Sequence, residues 1–299
     1  MNYRIGTRGS KLALAQANEV AGRLAAAYPK DSFEICIIRT AGDIDQTRPL
    51  GETGTKGFFV NEIEKQLQEG NIELAVHSMK DMPEETAEGL MFAKAWTRED
   101  PRDVLILREA SSLSDLPEHA VIATGSKRRA YALLKLRPDL TIVEIRGNVD
   151  TRIRKMHEQK LDGLVLAAAG MKRLGRESEI TQYLSPEEMI PAPAQGILAL
   201  ELSAKNQTLL EKLNELSDEK TQRAAEAERG FLKEIGGDCH LPIGAYASEL
   251  TDGKLKLYAM FGSADGSWVQ TTEMTGEEPL QLAKDAAEAI LAKRPGQNI

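Results

Sequence analysis

Chemistry in this 299-residue chain is concentrated first in Gly236-Gly237-Asp238-Cys239-His240-Leu241-Pro242-Ile243-Gly244. Glycines on both sides let other groups approach the backbone, and the Pro and Gly that follow place the thiol of Cys239 on a tight loop before a strand. A thiol on a loop is open to reaction; the other cysteine, Cys36, lies in the run Phe33-Glu34-Ile35-Cys36-Ile37-Ile38, which reads as a buried strand holding an inert core thiol. A second candidate is Asp81, at the end of the strand that runs into His77-Ser78-Met79-Lys80-Asp81-Met82-Pro83. Its carboxylate either pairs with Lys80 or points its charge into a cleft.

Cations form the third group. Lys127-Arg128-Arg129 open a helix, where the positive end of the helix dipole disfavours them unless an anion binds. Arg146, Arg152, Arg154 and Lys155 follow the next strand, and the guanidinium fork suits carboxylates and phosphates. Arg8 and Ser10 stand where a strand meets a helix, a place that is either an anion site or a plain cap. Against a net charge of −8, these local clusters argue for a small anionic ligand and against a general nucleic-acid binder.

The elements that must hold these groups alternate between strand and helix. Tyr3–Thr7 reads as a strand and Lys11–Ala27 as a helix with Leu14, Ala17, Ala21 and Leu24 on one face, capped by Ser10. Residues 33–40 form the next strand. A polar loop over about 41–57 has the length of a lid or binding loop, and Lys56 near its end is by composition a solvated charge. The pattern Ile-Gly-Thr-Arg-Gly-Ser-Lys of residues 5–11 is echoed by Ile-Ala-Thr-Gly-Ser-Lys at 122–127, so a second lobe repeats the logic of the first. The charged run Trp96–Asp103 and the strand Ile197–Leu202, after the stiff Pro191-Ala192-Pro193-Ala194-Gln195-Gly196, are expected to cross between lobes. Thereafter the pattern changes to a helix over about 221–235 and three strands with Asp-Gly turns at Asp252-Gly253 and Asp265-Gly266. A closing helix runs over about 279–292.

The expected fold class is therefore α/β: two lobes with mixed sheets, plus a smaller α+β domain with a three-stranded antiparallel sheet. The expected division is 1–98 with 197–216, 99–196, and 217–299. Two cysteines without metal spacing, four histidines with no helical metal pair, no apolar signal core and no membrane-length apolar run point to a cytoplasmic protein without a metal or a membrane partner.

Taken in order, the motifs resemble those of the hydroxymethylbilane synthase (porphobilinogen deaminase) family across essentially the whole chain. They are Thr7-Arg8-Gly9-Ser10, Lys56-Gly57-Phe58-Phe59-Val60, His77 through Pro83, Arg128-Arg129, Arg146-Gly147-Asn148-Val149 with Thr151-Arg152, Ala169 through Gly175, Gln195-Gly196 and Gly237 through Gly244. The resemblance implies two lobes like those of periplasmic binding proteins, and a transferase of heme biosynthesis that deaminates four porphobilinogen molecules and joins them head to tail. It implies a dipyrromethane cofactor bound through a thioether to Cys239, and a monomer whose partners are porphobilinogen and the growing oligopyrrole. It further implies cofactor contacts from Ser78, Lys80, Asp81, Thr124, Ser126, Arg128, Arg129, Arg146 and Gly147, and substrate contacts from Arg8, Ser10, Lys56, Arg146, Arg152, Arg173 and Gln195. Asp81 takes the catalytic role, as stabiliser of the cation left by ammonia or in proton transfer. A full chain of pyrroles carries about a dozen carboxylates, which matches so many cations. Two departures stand out. Gly125-Ser126-Lys127 replaces a common Ser-Ser ahead of the basic pair, and Glu52 stands where relatives often carry Lys. The rival reading is a two-lobed binding or sensor protein for small anions; a thiol redox role lacks a Cys-x-x-Cys partner.

Overall fold

The computed structural model describes residues 1–39, 60–84, 86–236 and 241–295. They fall into two compact units, Met1–Arg98 with Ile197–Gln222 and Glu99–Gly196 with Arg223–Ile299. In chain order the first segment holds β1 (Asn2–Thr7), α1 (Lys11–Ala27), β2 (Ser32–Ile37), α2 (Asn61–Gln68), β3 (Leu74–Ser78) and β4 (Leu90–Phe92). The next holds β5 (Asp103–Leu107), β6 (Val121–Ala123), α3 (Lys127–Leu136), β7 (Thr141–Val143), α4 (Val149–Glu158), β8 (Gly163–Ala167), α5 (Ala168–Arg173) and β9 (Gln182–Tyr183). The last holds β10 (Leu198–Ser203), α6 (Gln207–Glu215), α7 (Glu219–Glu234), β11 (Gly244–Glu249), β12 (Leu255–Gly262), β13 (Val269–Gly276) and α8 (Pro279–Leu291).

The first unit is built on a five-stranded sheet of order β2-β1-β3-β10-β4, in which β10 runs antiparallel to β3 and β4. Alternation decides its two faces. Leu74, Val76, Leu198, Leu200 and Leu202 join Val20 and Leu24 of α1 and Leu209 and Leu213 of α6 in one core. Ala75 faces the other way and packs with Ile63 and Leu67 of α2. The expectation that Cys36 is a core thiol in a buried strand is corrected here. β1 pairs with β3 on its far side, so β2 takes the sheet edge and Cys36 is half-buried. Desolvation still pushes its thiol pKa up, which keeps it unreactive.

The second unit carries a five-stranded sheet of order β7-β6-β8-β5-β9, the same pattern with β5 as the antiparallel member. The echo between residues 5–11 and 122–127 is thus a shared topology. The unit also carries the three-stranded antiparallel sheet β11-β12-β13, turned at the two Asp-Gly sites. Phe231 of α7 and Leu282, Ala286 and Ile290 of α8 pack on its inner face with Leu257, Ala259 and Phe261. Phe231 is fully buried, and that side chain alone contributes about 1.5–3 kcal/mol of transfer free energy. The strand expected over 197–202 is β10, and it returns to the first unit as anticipated.

Candidate functional site

In the first unit the candidate residues gather at the carboxyl ends of β1 and β3, which are parallel neighbours. That edge of an open α/β sheet is where ligands bind. Ser10 caps α1, its Oγ accepting from the Ala13 N–H at 3.2 Å, and its own O–H remains a donor. Ser78 closes β3, and its Oγ accepts from Gln16 Nε2 at 2.8 Å, which ties the end of β3 to α1. A single 3-10 turn, Met79–Asp81, follows; the Met79 N–H donates to the Ile197 carbonyl and the Met82 N–H to the Met79 carbonyl. Met79 and Met82 are buried while Asp81 is exposed, so a turn anchored by two apolar side chains presents the carboxylate to solvent. Arg8 and Lys80 are half-buried at the same edge.

In the second unit Thr124 and Ser126 follow β6, Arg146 and Gly147 follow β7, and Arg173 ends α5 after β8. Thr124 Oγ1 accepts from the Ser126 N–H, and Ser126 caps α3 toward the Arg129 N–H. Gly147 holds φ at 119°, and a Cβ there would meet Thr151 Cγ2 at 2.6 Å, so only glycine fits. Its carbonyl accepts from Arg152 Nε at 2.7 Å. Arg146 pairs with Glu144 through Nε and Nη2, but both side chains are well exposed. Such a surface pair is worth at most about 1 kcal/mol.

The basic pair behaves differently from its sequence expectation. Arg128 and Arg129 were expected to lack a partner until an anion binds. They are 4 % and 7 % exposed and both point at Asp103, which is completely buried at the start of β5. Arg128 Nη1 donates to Asp103 Oδ2 at 2.6 Å and to the Ile190 carbonyl at 2.6 Å. Arg129 donates to Asp103 Oδ1 from Nε at 3.1 Å and Nη2 at 2.8 Å, and to the Val165 carbonyl from Nη1. Burial alone would raise the Asp103 pKa; the charges of Arg128 and Arg129 and the bonds from Arg128 and Gln195 outweigh it and hold the carboxyl far below its usual range. Arg128 is shifted down, because burial and repulsion from Arg129 exceed the pull of the single carboxylate. The two directions agree with a count of two guanidiniums on one carboxylate, which leaves one net positive charge buried at the N-terminus of α3.

Gln195 also differs from expectation. It was expected among the substrate contacts, yet its side chain is fully buried and donates to the Pro101 carbonyl at 2.7 Å and Asp103 Oδ1 at 2.9 Å. It positions Asp103 at the site's inner side. Arg173 Nη2 donates to the Gly196 carbonyl. Lys127, the cation gained in this chain, donates to the Ala264 carbonyl at 2.8 Å in the β12–β13 turn and so braces the small sheet. Lys56, Glu52 and Cys239 lie outside the described residues. Sequence reasoning missed Asp103 altogether; the available signal was one acid at the head of the apolar run Val104-Leu105-Ile106-Leu107.

Among the described residues no group of three His, Cys, Asp or Glu side chains is placed to hold a metal, and no helix is long and apolar enough to cross a membrane. Fold and site together define an α/β protein that gathers basic and hydroxyl side chains at its strand ends and helix N-termini. The family comparisons narrow this class. Residues 3–211 match the model described as porphobilinogen deaminase, dipyromethane cofactor binding domain, and residues 222–292 match porphobilinogen deaminase, C-terminal domain. The chain belongs to the porphobilinogen deaminase family. It is 56 % identical over 292 residues to the porphobilinogen deaminase of Lachnospira eligens, covering 97 % of this chain and 99 % of that one. To the porphobilinogen deaminase of Clostridioides difficile it is 49 % identical over 294 residues, covering 97 % of each chain. Among solved structures it is similar to the periplasmic VFT2 domain of Bordetella pertussis BvgS, with 14 % identity and a TM-score of 0.43 over 72 % of this chain and 86 % of that one.

Proposed function

We propose that the residues above bind and join acidic pyrroles in the synthesis of hydroxymethylbilane. As a member of its family the chain is a transferase: four porphobilinogen molecules lose ammonia and are linked head to tail on a dipyrromethane primer, and the linear tetrapyrrole is released. The observation that carries the residue-level reading is the buried charge count around Asp103. Two guanidiniums on one carboxylate make a rigid site that still calls for an anion, and the primer carries carboxylates. Arg128 and Arg129, with the O–H donors of Thr124 and Ser126 at the same helix N-terminus, fit that group; Arg146 and the backbone at Gly147 add to them, as do Ser78 and Lys80. When bound, the primer supplies the nucleophilic carbon to which substrate is joined.

The chain supplies position and charge. Asp81, fixed on its turn, stabilises the cation left when ammonia departs and accepts from pyrrole N–H groups, and it is placed to move a proton. Arg8, Ser10, Lys56, Arg146, Arg152 and Arg173 take the substrate and product carboxylates. Cys239 anchors the primer through a thioether, a reaction needed once, for which the small thiolate fraction of an ordinary cysteine suffices. The same reading takes residues 1–98 with 197–216, 99–196 and 217–299 as three domains of a cytoplasmic monomer. A passive two-lobed binding protein is the weaker alternative, since family membership extends through residues 222–292.

Intact-protein mass tests the anchor. The native protein should exceed its chain mass by two linked pyrrole units, and Cys239→Ala should remove the excess and the activity. Active protein of unmodified mass sinks the proposal.

A further inference from the structure

We propose that His77 and Glu201 are positioning residues: a buried polar pair that fixes the turn presenting Asp81. This rests on the reading of Asp81 given above. Glu201 lies in β10, an otherwise apolar strand, and is 0 % exposed; His77, at the end of β3, is 8 % exposed. Neither Glu201 oxygen nor His77 Nε2 has an aligned hydrogen-bond partner among the described residues. Their closest approach is an ion-pair distance of 3.3 Å from His77 Nε2 to Glu201 Oε2. A buried carboxylate with no hydrogen bond is costly, and apolar side chains of the same volume would pack there at lower free energy. The pair is therefore a poor device for stability.

Its placement shows what it holds. Glu201 pairs with Ala75 and His77 with Ala199 in the antiparallel ladder, so both side chains leave the sheet on the face covered by α2. Glu64, half-buried on α2, lies above the pair: burial raises its pKa first, Glu201 raises it further, and His77 lowers it. The pair thus ties β3 to β10 on the face that α2 covers. His77 is followed directly by Ser78 and by the Met79–Asp81 turn. On its other sides the turn is held, among other contacts, by Gln16 to Ser78 and by Met79 to Ile197. The contact of His77 with Glu201 adds a constraint at the base of the turn on the α2 side. A displacement there moves the carboxylate of Asp81 relative to a reacting centre, where small misplacements are costly in rate and leave binding nearly intact.

The test uses full-length holoenzyme with porphobilinogen. Glu201→Gln keeps shape and removes the charge. It should retain the pyrrole-bearing mass and the wild-type melting behaviour, with kcat lowered by between about ten- and a hundredfold and KM held within about threefold. Adding His77→Gln to it removes the stranded partner and should recover part of kcat. Glu201→Leu should melt no lower than wild type yet remain slow, since packing does not replace the polar tie. A kcat within about twofold of wild type in loaded Glu201→Gln, or a raised KM with unchanged kcat, overturns the inference. Should Glu201→Gln not fold, His77→Gln alone carries the same comparison. Asp81→Asn is assayed in parallel. Near-normal turnover there removes the Asp81 reading and this inference with it, whereas slow Asp81→Asn beside normal Glu201→Gln removes this inference alone.

Discussion

Asp103→Asn isolates the buried charge at the head of β5. The substitution keeps the volume and removes the one carboxylate that faces Arg128 and Arg129. It leaves two guanidiniums buried beside a neutral amide, and four donor contacts (Arg128 Nη1, Arg129 Nε and Nη2, and Gln195 Nε2) lose their charged acceptor. Removing one partner from a buried ionic group costs about 3–5 kcal/mol. Hydrogen exchange by mass spectrometry reads that loss locally, as a fall of between roughly a hundredfold and a few thousandfold in protection over β5, β8 and α3. The first unit, which Asp103 does not enter, should stay protected. Arg129→Met leaves a one-to-one pair and should lose less protection than Asp103→Asn. The sign with pH follows from the depressed Asp103 pKa. Its stabilisation is complete above the unfolded value, about 4, and is lost as pH falls through the lower folded value, so wild type and Asp103→Asn converge only in strong acid. A protection loss under about tenfold at neutral pH, or a loss spread evenly over both units, would refute the assignment of Asp103 as the local counter-charge.

Asp81→Asn should leave melting and pyrrole-bearing mass unchanged, because the side chain is exposed, while turnover falls by about a hundredfold or more; steady-state kinetics on porphobilinogen decide it, and a near-normal rate removes Asp81 from the mechanism. Gly147→Ala meets both a φ of 119° and Thr151 Cγ2 at 2.6 Å, so it should lower stability by about 1–3 kcal/mol and raise KM as the Gly147 carbonyl shifts under Arg152. Denaturant midpoints and KM check it, and an unchanged midpoint would show that the loop relaxes freely.

What the chain declares locally was legible before any tertiary contact. Ser10 and Ser126 cap their helices because a side-chain oxygen reaches an amide three residues on, a contact within one turn. The Asp-Gly turns set the β11-β12-β13 meander for the same reason. The order of short motifs, from Thr7-Arg8-Gly9-Ser10 to the loop of Cys239, named the family because order is a property of sequence alone. Charge partnership is not. Asp103 lies 25 residues from Arg128, and Glu201 stands 124 residues after His77 and far beyond Glu64. Whether three cations at a helix start await a ligand, answer an internal acid or brace a neighbouring turn depends on which backbone passes nearby. Arg128 and Arg129 meet Asp103 because β5 inserts antiparallel beside β8; Lys127 meets Ala264 because the small sheet turns there. Composition and spacing therefore determined the elements and their caps, and the order of motifs carried the resemblance to the family whose chemistry the protein performs. Only the tertiary structure decided which charges are neutralised from within and which remain for a ligand, because electrostatic pairing is set by distance and burial, and sequence spacing encodes neither.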